Sequence, residues 1–168
     1  MRPIRIFIFT GPIRSGKTTA LMNWVGKRSN IGGFLTPDKG ELRYLFTLYD
    51  RKWHDFQVAD ALAKTMPESQ LVTISKFNFL STAFGIAHQT LLNDPDLNPD
   101  WIIIDEVGKL ELMGLGLEPA LKQVLAYYKT SKTSGALLMV VREELLEAVK
   151  DYYQLEHFQV IKNLNSLF

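Results

Sequence analysis

Gly11-Pro12-Ile13-Arg14-Ser15-Gly16-Lys17-Thr18 spells G-x-x-x-x-G-K-[ST]. The apolar run Ile4–Phe9 precedes it, and a stretch with helical character follows. A strand, a glycine-bearing loop and a helix in that order predict a cradle for polyphosphate. The glycines let the backbone curl so that successive N–H groups point inward. The helix beginning near Gly16 or Lys17 adds the positive end of its dipole. In this reading residues Gly11, Pro12, Ile13, Arg14, Ser15, Gly16, Lys17, Thr18 and Thr19 bind a nucleotide. Lys17 reaches the β- and γ-phosphates, Thr18 ligates Mg²⁺, and Thr19 offers a hydroxyl near the α-phosphate. The competing reading is a chance turn, which the flanking strand and helix oppose.

A second stretch answers the first. Trp101-Ile102-Ile103-Ile104-Asp105-Glu106 is an apolar run ending in two carboxylates. Continuous rather than alternating apolar residues predict a strand buried on both faces. Open α/β sheets hold ligands at the carboxyl ends of their strands. Asp105 is therefore expected beside the phosphate loop, holding Mg²⁺ through a water. Glu106, one residue on, is the candidate to orient and deprotonate an attacking water. Together Lys17 and Glu106 are the expected catalytic residues, and the adjacent acids favour hydrolysis over transfer to a bound acceptor.

Composition bounds the rest. The chain has 168 residues, with 46% hydrophobic and 22% charged, and is expected to form a single domain over residues 1–168. A net charge of +1 gives no support for a nucleic-acid or anionic-membrane surface. Without cysteine there is no disulfide framework and no thiolate metal site, and His54, His88 and His157 lack partners at ligand spacing. No window reaches transmembrane length, nothing resembles a signal peptide, and a cytoplasmic location is expected. No protein partner is indicated.

The remaining elements follow from periodicity and punctuation. Strands are predicted at Arg5–Thr10, Ile31–Thr36, Gln70–Ser75, Trp101–Asp105, Ala136–Val141 and Phe158–Lys162. Leu42–Tyr49 and Trp53–Val58 form a predicted hairpin around Asp50-Arg51-Lys52. Helices are predicted at Gly16–Arg28, Asn78–Leu92, Leu117–Lys129 and Glu143–Tyr152, with Pro119 in a first turn. The alternation predicts an α/β fold of three layers: a mostly parallel central sheet, helices on both faces, and an antiparallel hairpin extension at an edge.

Asp105-Glu106-Val107-Gly108-Lys109-Leu110-Glu111-Leu112 resembles the D-E-[IV]-G-K-[ML]-E-L segment of the THEP-type nucleoside triphosphatases. Gly32-Gly33-Phe34-Leu35-Thr36 is similar to their G-G-F-x-T strand. The resemblance runs from about Ile4 to Val160. It implies a P-loop NTPase fold and Mg²⁺-dependent hydrolysis of several nucleoside triphosphates to diphosphate and phosphate. It also implies phosphate, metal and catalytic positions at Gly11, Gly16, Lys17, Thr18, Asp105 and Glu106.

Other residues stay open between two roles. Lys109 either neutralises charge on the phosphates or braces its loop by pairing with Glu111 or another carboxylate. Arg142, after the strand Ala136–Val141, is either a cis arginine finger or a solvated helix-start residue. Arg14 points out of the loop, to solvent or to a partner. The basic hairpin residues Arg43, Arg51, Lys52 and His54, with Trp53, form either a lid over a second substrate or a solvated edge. A broad nucleoside triphosphatase is the leading expectation, since no N-K-x-D segment reads guanine. A small-molecule kinase with the hairpin as lid and a nucleotide-gated binding module are its rivals.

Overall fold

In a computed structural model the described residues are 2–130 and 133–167. In chain order they form β1 (Ile6–Gly11), α1 (Lys17–Gly26), β2 (Ile31–Leu35), β3 (Asp38–Lys39), β4 (Leu42–Thr47) and β5 (Lys52–Asp55). Next come β6 (Gln57–Val58), α2 (Asp60–Ala63), β7 (Leu71–Ile74), β8 (Phe77–Leu80) and α3 (Ser81–Asn93). The chain then runs through β9 (Trp101–Val107), α4 (Lys109–Leu112), α5 (Ala120–Lys129), β10 (Ala136–Arg142), α6 (Leu146–Tyr152) and β11 (Gln159–Ile161).

The main sheet has the order β11-β1-β10-β9-β2-β4-β3, with β5 also paired to β4. Its first five strands are mutually parallel, and β4 runs antiparallel to β2, β3 and β5. Strand β10 therefore separates the phosphate-loop strand β1 from the acidic strand β9. The central parallel strands β1, β10 and β9 alternate between two cores. Ile6, Ile8, Ile102, Ile104, Leu137 and Met139 face one, packed with residues of α3, α5 and α6. Phe7, Phe9, Trp101, Ile103, Leu138 and Val140 face the other, packed with Leu21, Trp24 and Val25 of α1. Both faces of β1, β9 and β10 are covered, which is why these runs are so largely apolar. The three layers and the antiparallel extension at an edge are those expected.

Four expectations need correction. The helix foreseen from Asn78 begins at Ser81, because Phe77–Leu80 is strand β8, paired antiparallel with β7. The partner run Leu71–Ile74 satisfies its backbone, so pairing overrides the helical spacing. Strand β7 lies outside the main sheet, in a small sheet of order β6-β8-β7. The strand foreseen over Trp53–Val58 breaks at Phe56, whose ring is buried against Phe79 and Phe84. Finally, α5 begins at Ala120, with Pro119 immediately before it.

Two glycines of β2 set its distance from β9. Gly33 has φ +87°, and a Cβ there would lie 2.0 Å from the Ile103 carbonyl oxygen. The same residue donates its N–H to the Asp94 carboxylate at 2.8 Å. At Gly32 a Cβ would lie 2.7 Å from Ile102 Cδ1. No larger residue lets the strands approach this closely.

Candidate functional site

The site lies at the carboxyl ends of the parallel strands. The loop leaving β1 turns through Arg14 (φ +57°) and Gly16 (φ +78°) into α1, whose first residue is Lys17. Glycine at the turn into α1 takes that left-handed conformation at no steric cost. The Lys17 ammonium folds back on its own loop and donates to Pro12 O at 2.7 Å, Ser15 Oγ at 3.2 Å and Gly11 O at 3.3 Å. Residues 12–16 and Thr19 are exposed. A groove of about 700 Å³ runs from this loop between α1 and the turn after β11, lined among others by Lys17, Asn23, Trp24, Asn163 and Asn165.

Asp105 is 1% exposed. Its Oδ2 accepts from Thr18 Oγ1 at 3.0 Å, from the Thr36 N–H at 3.0 Å and from Thr36 Oγ1 at 3.3 Å. Thr36 is supplied by the chain just past β2, which the glycine contacts seat against β9. The other oxygen, Asp105 Oδ1, is buried without a partner among the described residues. Burial pushes the Asp105 carboxyl up from its ordinary range, and the bonds from Thr36 and Thr18 and the charge of Arg43 pull against it. A bare buried carboxylate oxygen is costly, and a cation beside it would remove that cost. Hydroxyl and carboxylate oxygens are hard donors suited to Mg²⁺. The residues present therefore fit that ion.

Glu106 depends on an irregularity. In a regular strand its side chain would point away from the face carrying Asp105. Between β9 and β10, however, Met139 pairs with Ile104 and Val141 with Val107, so β9 carries one extra residue at Asp105–Glu106. Glu106 takes up the irregularity with φ +59°. A bulge of this kind re-aims a side chain, and here the Glu106 carboxylate meets Arg43 of β4, Nη1 donating to Oε2. Burial and the neighbouring Asp105 raise the Glu106 carboxyl, while Arg43 and Arg142 oppose the rise.

The loop beyond β9 is braced by Glu111. This residue is 4% exposed, accepts the Gly108 N–H on Oε1 at 2.9 Å and the Leu117 N–H on Oε2 at 3.4 Å. Burial pushes its carboxyl up to about 7, against those two bonds. Lys109 opens α4, is exposed, and makes no ion pair among the described residues. The pairing with Glu111 weighed for Lys109 is not formed, because Glu111 turns inward to backbone amides. Arg142 pairs in register with Gly11 at the carboxyl end of β10, exposed, with its charge acting on Glu106.

Residues 5–167 match the family model described as NTPase. The chain belongs to that NTPase family. Its structure is similar to the crystal structure of THEP1 from the hyperthermophile Aquifex aeolicus, with a TM-score of 0.65, 19% identity, and coverage of 94% of this chain and 88% of that one. It is also similar to the solution structure of a human cancer-related nucleoside triphosphatase, with a TM-score of 0.59, 16% identity, and coverage of 95% and 88%. No curated protein matches the sequence. Among the described residues of this NTPase no helix is long and apolar enough to cross a membrane.

The structure brings Thr18, Asp105 and Glu106 of this NTPase around one end of the sheet, next to the loop of Gly11–Thr18. Thr36 is not singled out as a site residue by the sequence, and Arg43 only as a basic hairpin residue, on a lid over a second substrate or on a solvated edge. Thr36 could be noticed only as the last residue of the Gly32–Thr36 motif. The pairing of Arg43 with Glu106 has no local signal, since the two lie 63 residues apart in the chain.

Proposed function

We propose that this NTPase hydrolyses nucleoside triphosphates to diphosphate and phosphate with Mg²⁺ and broad base specificity, acting as one domain in the cytoplasm where those substrates are abundant. One observation carries the reading. Thr18 and Thr36 both converge on Asp105 Oδ2 while the buried Oδ1 is left bare beside the phosphate loop.

In this reading the loop amides and Lys17 bind the phosphates, Lys17 exchanging its three loop contacts for phosphate oxygens. Thr18 and Asp105 hold Mg²⁺, which when bound offsets phosphate charge. The 700 Å³ groove beside α1 receives the nucleoside. Glu106 takes the proton of the attacking water on a carboxylate oxygen. Arg142, at the strand end opposite Gly11, is placed to offset charge in the transition state. Lys109, exposed and without an ion pair among the described residues, is available for the same task.

ATP, GTP, CTP and UTP, each with Mg²⁺ and no acceptor, test the proposal by phosphate release. Release from several of them is expected. In the same assay Glu106→Gln lowers turnover by about two to four orders of magnitude, without any weakening of binding. Inertness until a metabolite is added would point to a kinase. Tight binding without turnover, relieved by a partner protein, would point to a switch.

A further inference from the structure

Glu106 is faced by four charged groups: Asp105 beside it on β9, Arg43 on β4, Asp38 on β3 and Arg142 at the end of β10. Arg43 touches it directly, and the same guanidinium holds Asp38 Oδ1 through Nε at 3.3 Å. Its charge acts on Asp105 as well. The guanidinium thus sits between both acids of the site and an outer, exposed carboxylate.

This resting arrangement opposes the task assigned to Glu106. The guanidinium pairs with the very carboxylate that is to act as the base. The oxygen occupied by Nη1 is also closed to a water proton. The pair is not locked in the interior, however: the side chains of Arg43 and Glu106 are 27% and 35% exposed. A guanidinium fork fits a phosphate as well as a carboxylate, and a terminal phosphate carries more charge.

We propose that Arg43 senses the triphosphate by exchanging partners. Without nucleotide its guanidinium holds Glu106; the terminal phosphate takes that guanidinium over and leaves the Glu106 carboxylate free. The water oxygen then bonds to phosphorus, its proton passes to Glu106, and the bond to the diphosphate oxygen breaks with its electron pair on the leaving group. Arg43 is thereby a determinant of tri- over diphosphate binding. The inference rests on the triphosphatase reading above.

A double-mutant cycle in binding tests it. A non-hydrolysable imido analogue of ATP and ADP itself, each with Mg²⁺, are titrated calorimetrically into wild type, Arg43→Gln, Glu106→Gln and the double variant. Arg43→Gln is expected to weaken the analogue about 10-fold or more and ADP by less than about 2-fold, the scale of a lost hydrogen bond to a charged group. Glu106→Gln is expected to tighten the analogue about 3-fold or more where Arg43 is present, and to leave it unchanged where Arg43 is absent. Arg43→Lys, which keeps the charge without the fork, falls between, and it replaces Arg43→Gln if melting shows that variant unfolded. Equal losses for both nucleotides would overturn the exchange. So would a gain from Glu106→Gln that persists without Arg43, since simple charge repulsion would explain it. Either result leaves the triphosphatase reading standing, whereas wild type that binds neither nucleotide would overturn both.

Discussion

The phosphate loop and the acidic end of β9 meet at the hydrogen bond from Thr18 to Asp105, yet they are assembled by different means. The loop is local: its turns at Arg14 and Gly16 and the three contacts of Lys17 all lie within residues 11–17. The acidic side is non-local. Asp105 Oδ2 accepts from Thr18 and Thr36, which are 87 and 69 residues away, and Glu106 is met by Arg43 from 63 residues away. A local device survives wherever its few residues can curl. A non-local one exists only while β2, β4 and β9 hold their register.

That contrast can be broken from either side. The largest effect is expected at Gly33→Ala. Its Cβ would lie 2.0 Å from the Ile103 carbonyl oxygen at a φ of +87°, so β2 must leave β9 and carry Thr36 away from Asp105. Destabilisation of about 4 kcal/mol or more should appear in denaturant melts. A variant as stable as wild type would show that the close approach is not needed.

Lys17→Ala comes next. It leaves the sheet intact and removes the cation of the loop, so triphosphate affinity should fall about 10- to 100-fold, one or two charge-assisted hydrogen bonds. Melting should barely change, since the Lys17 contacts are partly or fully exposed. Loss of fold with loss of binding would mean that the loop is as dependent on its surroundings as the acids are.

The last effect, one of pH, concerns the brace behind the acids. Glu111 has its folded pKa raised from 4.5 to about 7, so the native state binds this proton more firmly than the unfolded chain does. Its contribution is fully present below 4.5 and is lost as pH rises through about 7. Between pH 5 and 8 wild type should therefore lose stability relative to Glu111→Gln, by up to about 3 kcal/mol. Gln keeps an acceptor for the Gly108 N–H and cannot ionise. Denaturant melts of both proteins at the two pH values check this, and parallel curves would refute it.

Legibility followed the same division. The loop could be read from eight consecutive residues, and the position of Asp105 from a run of isoleucines ending in an acid. The order of the sheet could not, because which strand lies beside which is settled by how two apolar faces of each are covered. Phe77–Leu80 shows the limit most plainly: its spacing suits a helix, and only pairing with β7, just before it across a two-residue turn, makes it β8. Glu106 was found as a neighbour of Asp105, but strict alternation would have sent it to the opposite face. The extra residue that β9 carries against β10 has no signature in its own segment.

The order of residues alone settled the turn into α1, the glycines that allow close backbone approach, and the apolar strands, because each depends on steric and solvation preferences acting over a few neighbouring positions. Folding in three dimensions decided that Thr36 should satisfy Asp105, that Glu106 should face Arg43, and that Glu111 should turn inward rather than to Lys109. The first two choices follow from hydrogen-bond partners that become neighbours only once distant strands are paired, and the third from the burial of Glu111 beside the nearby amides of Gly108 and Leu117.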